Sequence, residues 1–244
     1  MQVGLENGVR YPLAARHRGI DPWLFLDLRA ARKWVLDNSD GMEVLNLFSY
    51  TGGIAAAAAC GRAASVWNVH FSASAHEVGR ASLKLNVGSA GECKCEWMKR
   101  DVLPTIRQLA STPTKDYRAD RGGYANPHSR GGGQRGGRGS GGRSNGYGDE
   151  RGGRSGGEQG RGGGEEKDLK AKQSDLVFLD PPTWSKSKHG AVDLVRDYQA
   201  LFKPSLLATK EGGVVLATSN VSTVDCAEWV ENLSNRNNAR LPLR

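Results

Sequence analysis

Short apolar runs alternate with helix-like segments along this chain, and this alternation constrains the fold more than any other feature. The runs recur roughly every 20–25 residues, which is typical of βαβ units. Five of them predict strands, at residues 43–48, 65–71, 94–98, 176–179 and 214–218. Because the strands of βαβ units run in the same direction, we predict an α/β fold with a mostly parallel sheet and helices on both faces.

The segments between these runs predict helices. Apolar residues recur at helical spacing from Asp27 onward, and the alanine-rich stretch Ile54–Cys60 can pack closely on a sheet. Further helices are predicted from Ser72 or Ser74 to Leu85, over Pro104–Leu109, over Val192–Leu207 with a kink or break at Pro204, and over Cys226–Leu233. Residues 1–26 combine turn residues with short alternating stretches and predict a hairpin.

A segment rich in arginine and glycine interrupts the pattern. Residues 118–170 contain repeats such as RGGYANPHSRGGGQRGGRGSGG and have almost no aliphatic side chains. Such a segment cannot bury enough apolar surface to offset the entropy of ordering, so we predict a disordered insertion in a surface connection. The chain then divides into a lead-in (1–26), a first half of the core (27–117), the insertion (118–170), a second half of the core (171–233) and a disordered tail (234–244).

The charge favours a polyanionic partner, most simply nucleic acid. The net charge is +8 with a pI near 9.5. Residues 118–166 contribute +3 through nine arginines against six acids, so the rest of the chain is basic by itself. Arginines in such repeats contact RNA phosphates and stack on bases. The alternatives are an inert basic surface for the core and a flexible, soluble spacer for the repeats.

Cysteine usage and apolar segments limit the remaining classes. The cysteines show neither disulfide-rich density nor CxxC spacing, and there are four of them: Cys60, Cys93, Cys95 and Cys226. We expect all to be reduced, with Cys93 and Cys95 on opposite faces of a strand and therefore unsuited to hold a metal. No stretch approaches the roughly 20 apolar residues of a membrane span, and the N-terminus has no apolar signal region. We predict a soluble intracellular protein, in the cytoplasm or an organelle, that uses no metal.

A glycine-containing turn and two acids follow predicted strands. The turn Phe48–Gly53 comes after the first strand of the sheet, Asp101 after the third and Asp180 after the fourth. Ligands of open α/β sheets bind beyond the carboxyl ends of the strands, where Gly52 and Gly53 let a backbone approach closely. The turn is not the GxGxxG fingerprint and has no Walker lysine. Acids and backbone groups in this arrangement favour S-adenosylmethionine over NAD or a phosphate-rich nucleotide.

These motifs resemble a known family in their order. The class I methyltransferase domain of the bacterial large-subunit (23S) ribosomal RNA methyltransferases is similar to FLDLRAARKWVL, VLNLFSYTGGIAAAAA, SASAHEVGRASLKLN, DVLPTIRQL, VFLDPPTWSKSK and EGGVVLATSN. The resemblance covers nearly the whole chain apart from the insertion and the last stretch. It implies a Rossmann-like class I methyltransferase fold, S-adenosylmethionine as cofactor and RNA, in particular ribosomal RNA, as partner.

The resemblance also implies roles for individual residues. The methionine and ribose parts of the cofactor would be held by the turn residues Phe48, Ser49, Tyr50, Thr51, Gly52 and Gly53. Asp101 would face the adenine amine, and Arg29 would be a cofactor-side or structural arginine. Asp180, Pro181 and Pro182 would form the catalytic loop that receives the substrate base.

Two features depart from the family pattern. Its members have an acid at the end of the second strand that grips the ribose hydroxyls, whereas this chain has His70, which can donate or accept only one such bond. Relatives also continue with two further strands, and many carry accessory RNA-binding domains. Two explanations stay open, a sheet that lacks those last strands and a truncated sequence, and the Arg/Gly-rich insertion could partly substitute for an RNA-binding domain.

The position of the cysteines indicates the target atom. Methylation at cytosine C5 uses a cysteine nucleophile, and the segments DPPTW and ATSNV after the fourth and fifth strands contain none; Cys226 lies too far downstream. Asp180 and the Pro181 carbonyl could instead orient an amine, so that a base nitrogen accepts the methyl group through positioning and desolvation.

The residues after the double proline suggest how the base is bound. Trp184 would stack on the base, at ~1–3 kcal/mol, or would be a core aromatic under the loop. Lys186 and Lys188 would meet phosphate or would simply be solvated. DPPTWSKSK most resembles the guanine-methylating branch.

We therefore predict an enzyme, an S-adenosylmethionine-dependent RNA methyltransferase acting at a base nitrogen of guanine. The alternatives are a catalytically weak RGG-type RNA-binding protein on a methyltransferase fold, and a protein or DNA amine methyltransferase with the same DPP geometry. The sequence leaves the oligomeric state open.

Overall fold

The computed structural model describes residues 2–14, 22–112, 168–182, 184–187, 190–193, 198–219 and 225–236. The strands are β1 (Gln2–Glu6), β2 (Val9–Leu13), β3 (Glu43–Leu47), β4 (Ser65–His70), β5 (Lys94–Lys99), β6 (Ser174–Leu179), β7 (Trp184–Ser187), β8 (Gly190–Asp193) and β9 (Thr209–Ala217). The helices are α1 (Arg29–Asn38), α2 (Gly53–Cys60), α3 (Ala73–Leu85), α4 (Val102–Leu109), α5 (Gln199–Leu207) and α6 (Cys226–Arg236), with a 3-10 turn at Leu26–Leu28.

The central sheet has five strands in the order β5-β4-β3-β6-β9, and every neighbouring pair is parallel. Side chains alternate between its two faces, as the period of two in a strand requires. Leu45 and Leu47 pack with α4 and α5 on one face, whereas Val44 packs with α1 and α2 on the other. The predicted α/β fold with helices on both faces is confirmed.

The strands β1 and β2 form an antiparallel hairpin within the segment where the sequence predicts one. Its turn, Asn7-Gly8, has φ angles of 50° and 82°. A type I′ turn, the common two-residue hairpin loop, needs positive φ at both central positions, which asparagine and glycine tolerate best. Val9 and Tyr11 are buried against Ala56, so the hairpin is fastened to α2.

The predicted helix over Val192–Leu207 is wrong in its first part. Residues 190–193 form β8, which pairs antiparallel with β7, and α5 begins only at Gln199. A short apolar run such as AVDLV fits a strand or a helix equally well, and pairing with β7 decides between them. The helix α5 runs through Pro204, whose carbonyl accepts a hydrogen bond from the Ala208 amide at 2.9 Å.

Several predictions lie wholly or largely outside the described residues. The insertion at 118–170 is described only from Asp168 onward, and the tail at 234–244 only as far as Arg236. Within the described part of the chain, no strand of the sheet follows β9. No helix in the described ranges is both long and apolar enough to span a bilayer.

Candidate functional site

A cleft opens at the carboxyl end of the sheet, where β3 and β6 lie side by side. The connections from these two central strands lead to opposite halves of the sheet, which is where ligands bind in open α/β folds. The cleft encloses about 410 Å³ including its open mouth. Its walls include Phe25, Arg32, Asn46, Phe48, Ser49, Tyr50, Thr51, Gly53 and Asp180.

The turn after β3 has an unusual backbone. Phe48, Tyr50 and Gly52 have φ angles of 57°, 44° and 71°. The left-handed region is open to glycine but costs roughly 1 kcal/mol or more for other residues, so the two aromatic residues must be held there by their surroundings. Non-glycine residues in this conformation cluster at ligand sites, and here they border the cleft.

Hydrogen bonds from neighbouring segments hold this turn. The Ser49 amide donates to the Val69 carbonyl at 3.1 Å, which ties the turn to β4. The Gly52 amide donates to the Ser49 carbonyl at 2.7 Å. The hydroxyl of the buried Thr51 donates to the Trp23 carbonyl, which brings the segment before α1 over the cleft.

Trp97 covers the outer side of the glycine turn. A Cβ atom at Gly52 would lie 2.6 Å from Trp97 Cη2, and one at Gly79 in α3 would lie 2.2 Å from the same atom. The indole therefore fits between two glycines that come from different elements. The sequence suggested that Gly52 admits a ligand, but the space where a side chain would stand is taken by Trp97. Sequence reasoning missed both Trp97 and Gly79.

His70 ends β4 and is buried. The Ser72 amide donates to its Nδ1 at 3.1 Å, so the neutral ring carries its hydrogen on Nε2 and can offer one donor to a ligand. Burial and the nearby His76 ring lower the pKa of His70 to about 4, which keeps it neutral at neutral pH. Its ring lies 5.9 Å from that of Tyr50, beside the turn, and stacks on Phe71 at 4.4 Å.

His76 is a further site residue that the sequence did not reveal. It is 2% exposed, and its Nε2 lies 3.5 Å from the Ser49 hydroxyl. Its ring lies 5.2 Å from that of Trp97. His76 and Gly79 are three residues apart on α3 and therefore share one helix face, which backs the glycine turn. This helical spacing within SASAHEVG is the one signal that could have found them.

Asp101 has a local structural role. It caps α4, where its Oδ1 accepts from the Leu103 amide at 3.1 Å and its carbonyl accepts from the Thr105 hydroxyl at 2.7 Å. It follows β5 as predicted, but it does not line the cleft. Its contact with an adenine amine stays a prediction.

The arginine beside the cleft is Arg32 and not Arg29. The Arg29 side chain is 69% exposed, and its Nε lies 3.9 Å from Glu6 Oε2, too far for a hydrogen bond, whereas the Arg32 side chain is 2% exposed. Arg32 donates to both Glu6 carboxylate oxygens, at 2.7 and 2.9 Å, and to the Phe25 carbonyl at 2.7 Å. The Arg32 guanidinium thus holds β1 and the segment before α1 against α1. Arg32 lies about one turn further along this helix than Arg29, the arginine that the sequence predicted.

Asp180 follows β6 and lines the cleft. Its Oδ1 accepts from the Thr218 hydroxyl after β9, and the Tyr198 hydroxyl donates to the Thr218 carbonyl at 2.9 Å. Burial, and secondarily the charge of Asp180, raise the pKa of Tyr198, so that phenol stays protonated. Pro181 is buried and Pro182 exposed. The carboxylate is therefore fixed at the point where two strands end.

The remaining predicted substrate residues lie in or after β7. Trp184 pairs with Asp193 and Lys186 with Ala191 along the backbone of the β7–β8 hairpin. Lys188 lies outside the described residues.

The cysteines are arranged differently from the prediction. The sulfurs of Cys93 and Cys95 lie 3.7 Å apart, because residues separated by one position on an extended strand point to the same face. Both pack beside the core between the sheet and α2. Among the described residues, no three histidine, cysteine, aspartate or glutamate side chains group as metal ligands.

This chain is similar to S-adenosylmethionine-dependent methyltransferases. Residues 3–109 match a family model described as S-adenosylmethionine-dependent methyltransferase, which agrees with the resemblance of the sequence motifs and with S-adenosylmethionine as cofactor. A candidate ribosomal RNA large subunit methyltransferase of Bacillus subtilis (strain 168), YwbD, is 24% identical over 220 residues, which cover 89% of this chain and 40% of YwbD.

Solved structures show the same fold. SMU.776, a candidate methyltransferase solved with S-adenosylhomocysteine, aligns with a TM-score of 0.65 at 18% identity over 98% of this chain and 47% of that one. A methyltransferase from Agrobacterium tumefaciens aligns with a TM-score of 0.58 at 15% identity, over 95% and 56% of the two chains. The chain thus spans about half the length or less of these proteins.

The residues around the cleft fit S-adenosylmethionine in their chemistry. The cofactor combines a cationic sulfur and an ammonium group with ribose hydroxyls. The Asp180 carboxylate and the ring of Tyr50 suit positive charge, and the His70 Nε2–H suits a hydroxyl oxygen.

Proposed function

We propose that this protein transfers the methyl group of S-adenosylmethionine to a base nitrogen of RNA, with guanine in ribosomal RNA as the expected target. The observation that carries the proposal is the joint presence of Asp180 and the left-handed turn at Phe48–Thr51 in the walls of one cleft. Asp180, an acid that can orient the amine that accepts the methyl group, thus borders the turn that would hold the methyl donor.

The chain's own residues have three tasks in this proposal. The turn from Phe48 to Gly53 would hold the methionine end, with its backbone fixed by the bonds to Val69 and Trp23. His70 would donate one hydrogen bond to a ribose oxygen. S-adenosylmethionine, when bound, supplies an electrophilic methyl group on a cationic sulfur.

The acceptor side would be governed by Asp180. Its carboxylate would accept a hydrogen bond from the amine of the base and so turn the nitrogen lone pair toward the methyl group. The proton released on methylation could pass to the same carboxylate or to water. The bond to Thr218 fixes its orientation, so positioning supplies most of the rate, as in other reactions without a covalent intermediate.

Nitrogen is favoured over cytosine C5 because none of the cysteines in the described part of the chain lies in or directly after this loop. Segment 177–219, which includes the ends of β6 and β9, contains no cysteine, and Cys226 is exposed at the start of α6. The RNA part of the proposal is supported by the net charge of +8, the arginine repeats and the name of the Bacillus relative.

Replacing Asp180 with asparagine tests the acceptor role. The amide can still accept the Thr218 bond but loses the charge, so we expect methyl transfer to fall by about 100-fold or more while S-adenosylmethionine affinity in calorimetry is unchanged. Asp175→Asn is the matched control, since Asp175 binds Lys210 at the opposite end of β6. Parallel losses of transfer and cofactor binding in Asp180→Asn would contradict the role.

The substrate class is tested by offering RNA and protein together. Transfer of tritiated methyl groups to total RNA, followed by nucleoside analysis, would support the proposal; label in protein or DNA would favour the amine methyltransferase with the same loop. Deletion of residues 119–164 should weaken RNA binding and its salt dependence without lowering the melting temperature. A large drop in melting temperature would show that the segment is part of the fold.

His70 favours one second candidate, a catalytically weak RNA-binding protein. Its ring offers one donor where the family has a carboxylate that binds two hydroxyls. Calorimetry separates the candidates: no binding at millimolar S-adenosylmethionine, together with RNA binding, would favour the second.

A further inference from the structure

Two thiols form a close pair at the start of β5. Along the strand they precede Trp97, whereas the carboxyl end of the strand follows it. The sulfurs of Cys93 and Cys95 lie 3.7 Å apart, within hydrogen-bonding distance for thiols. Both side chains are partly exposed. Cys93 lies one residue before the strand, so its backbone is not held on both sides by the sheet. Neither residue has a part in the proposed methyl transfer.

The environment makes the two thiols unequal. The two sulfurs share a hydrogen bond, which lowers the pKa of Cys93 and raises that of Cys95. A thiolate is the nucleophilic form of cysteine, and a neighbouring thiol can resolve the product of its oxidation. By contrast, burial and the proximity of Cys93 raise the pKa of Cys60.

We propose that Cys93 and Cys95 form a redox-active dithiol that closes to a disulfide under peroxide and thereby disturbs the support of the cofactor turn. The effect on the cofactor turn rests on the proposed function, whereas the disulfide does not.

The chemistry balances with hydrogen peroxide as the oxidant. The Cys93 thiolate attacks one peroxide oxygen, the O–O bond breaks, and a sulfenic acid and hydroxide form. The Cys95 sulfur then attacks the sulfenic sulfur and releases its hydroxyl oxygen as water. In total, two thiols lose two electrons and two protons, and the peroxide becomes two waters. The sulfurs must approach by about 1.6 Å to reach bonding distance.

Trp97 connects this pair to the cleft. Cys93 just before β5 and Cys95 and Trp97 within it are spaced two residues apart, and all three pack on the same face of the sheet. The far edge of the indole fits between Gly52 and Gly79, with no room for a Cβ at either. Drawing the start of β5 together would shift this ring, and the turn that it covers would shift with it.

Mass spectrometry of the full chain tests the disulfide. The reduced protein is treated with increasing hydrogen peroxide, free thiols are alkylated, and the denatured protein is digested after lysine. Lys94 lies between the two cysteines, so the disulfide joins two peptides, residues 85–94 and 95–99, or leaves a peptide 85–99 lighter by two hydrogens. We expect this product at peroxide concentrations where Cys226 is still alkylated.

The controls identify the sulfurs. Cys60→Ser and Cys226→Ser should still form the product, whereas Cys95→Ser should leave Cys93 to proceed to sulfinic acid. The proposal is overturned if Cys226 oxidises fully before any joined peptide appears, or if Cys93 pairs with Cys60 instead. Melting temperatures of the reduced variants establish that each is folded.

Calorimetry with S-adenosylmethionine tests the coupling. We expect the oxidised protein to bind the cofactor several-fold more weakly than the reduced protein, and the Cys95→Ser protein to show no such loss after the same treatment. Equal affinity in both states would overturn the coupling. Absence of binding in both states would count against the proposed function, while the peptide result would still decide whether the dithiol is redox-active.

Discussion

Replacement of Gly79 by alanine should destabilise the protein, although alanine is the better helix former. Gly79 lies within α3, where exchange of an exposed glycine for alanine stabilises by about 1 kcal/mol. At this position the new Cβ would lie 2.2 Å from Trp97 Cη2, 2.4 Å from Cζ3 and 3.2 Å from the Thr51 carbonyl. These distances are well inside van der Waals contact.

The indole has little freedom to withdraw. Its other side faces Gly52, where a Cβ would lie 2.6 Å from the same ring atom. The ring also lies 5.2 Å from that of His76 and carries the Arg80 guanidinium at 5.7 Å. Overpacking of this kind costs ~1–3 kcal/mol. After the gain in helix propensity, we expect a net loss of about 1–2 kcal/mol.

Urea unfolding followed by circular dichroism measures this loss. Trp97→Phe shortens the ring, so Gly79→Ala in that background should be neutral or stabilising, which is a reversal of sign. Gly88→Ala is the matched control, because nothing lies within 4 Å of its Cβ position. A Gly79→Ala protein as stable as the parent would contradict the clash with Trp97, and so would a full loss of stability that persists in the Trp97→Phe background.

Two further predictions concern the charged groups around the cleft. Arg32→Ala should lower the free energy of unfolding in urea by ~3–5 kcal/mol, because it leaves the Glu6 carboxylate without its buried partner. Arg29→Ala should change it by less than about 0.5 kcal/mol, and equal losses in the two variants would contradict the separate roles of these arginines. The folded-state pKa of His70 is lowered to about 4, whereas the unfolded pKa is 6.5, so on acidification the unfolded chain binds a proton at His70 before the folded protein does. The stability that neutral His70 contributes is therefore complete above pH 6.5 and is lost as the pH falls to about 4. His70→Asn should flatten the pH dependence of unfolding in that window, and an unchanged slope would contradict the shift.

The order and type of most elements could be predicted because both depend on local pattern. The five apolar runs became the five strands of the sheet, and the alanine-rich stretch became α2. The position of Asp180 in the cleft could also be predicted, since it follows directly from its place after a central parallel strand. The start of α5 could not, because a short apolar run fits two periods and only pairing with β7 excludes the helix.

Which side chains contact the site residues depends on tertiary packing and could not be predicted from the sequence. Arg29 and Arg32 are indistinguishable in a sequence pattern, but Arg32 is the buried one and donates two hydrogen bonds to the Glu6 carboxylate of β1, whereas Arg29 is exposed and lies 3.9 Å from it. The contact of Trp97 with Gly52 and Gly79 joins three elements that are far apart in the chain. Such contacts depend on how helices lie across the sheet, and no local period encodes that.

The sequence by itself determined that the chain forms a parallel α/β sheet with a glycine turn and an acid at one rim, because apolar period and strand order are local properties. Only the tertiary structure decided which side chains support that rim, since this depends on packing between distant segments. In the folded protein His70 is buried and neutral, and Arg32 is the arginine that binds Glu6. Trp97 packs against the glycine turn, and the sulfurs of Cys93 and Cys95 lie 3.7 Å apart.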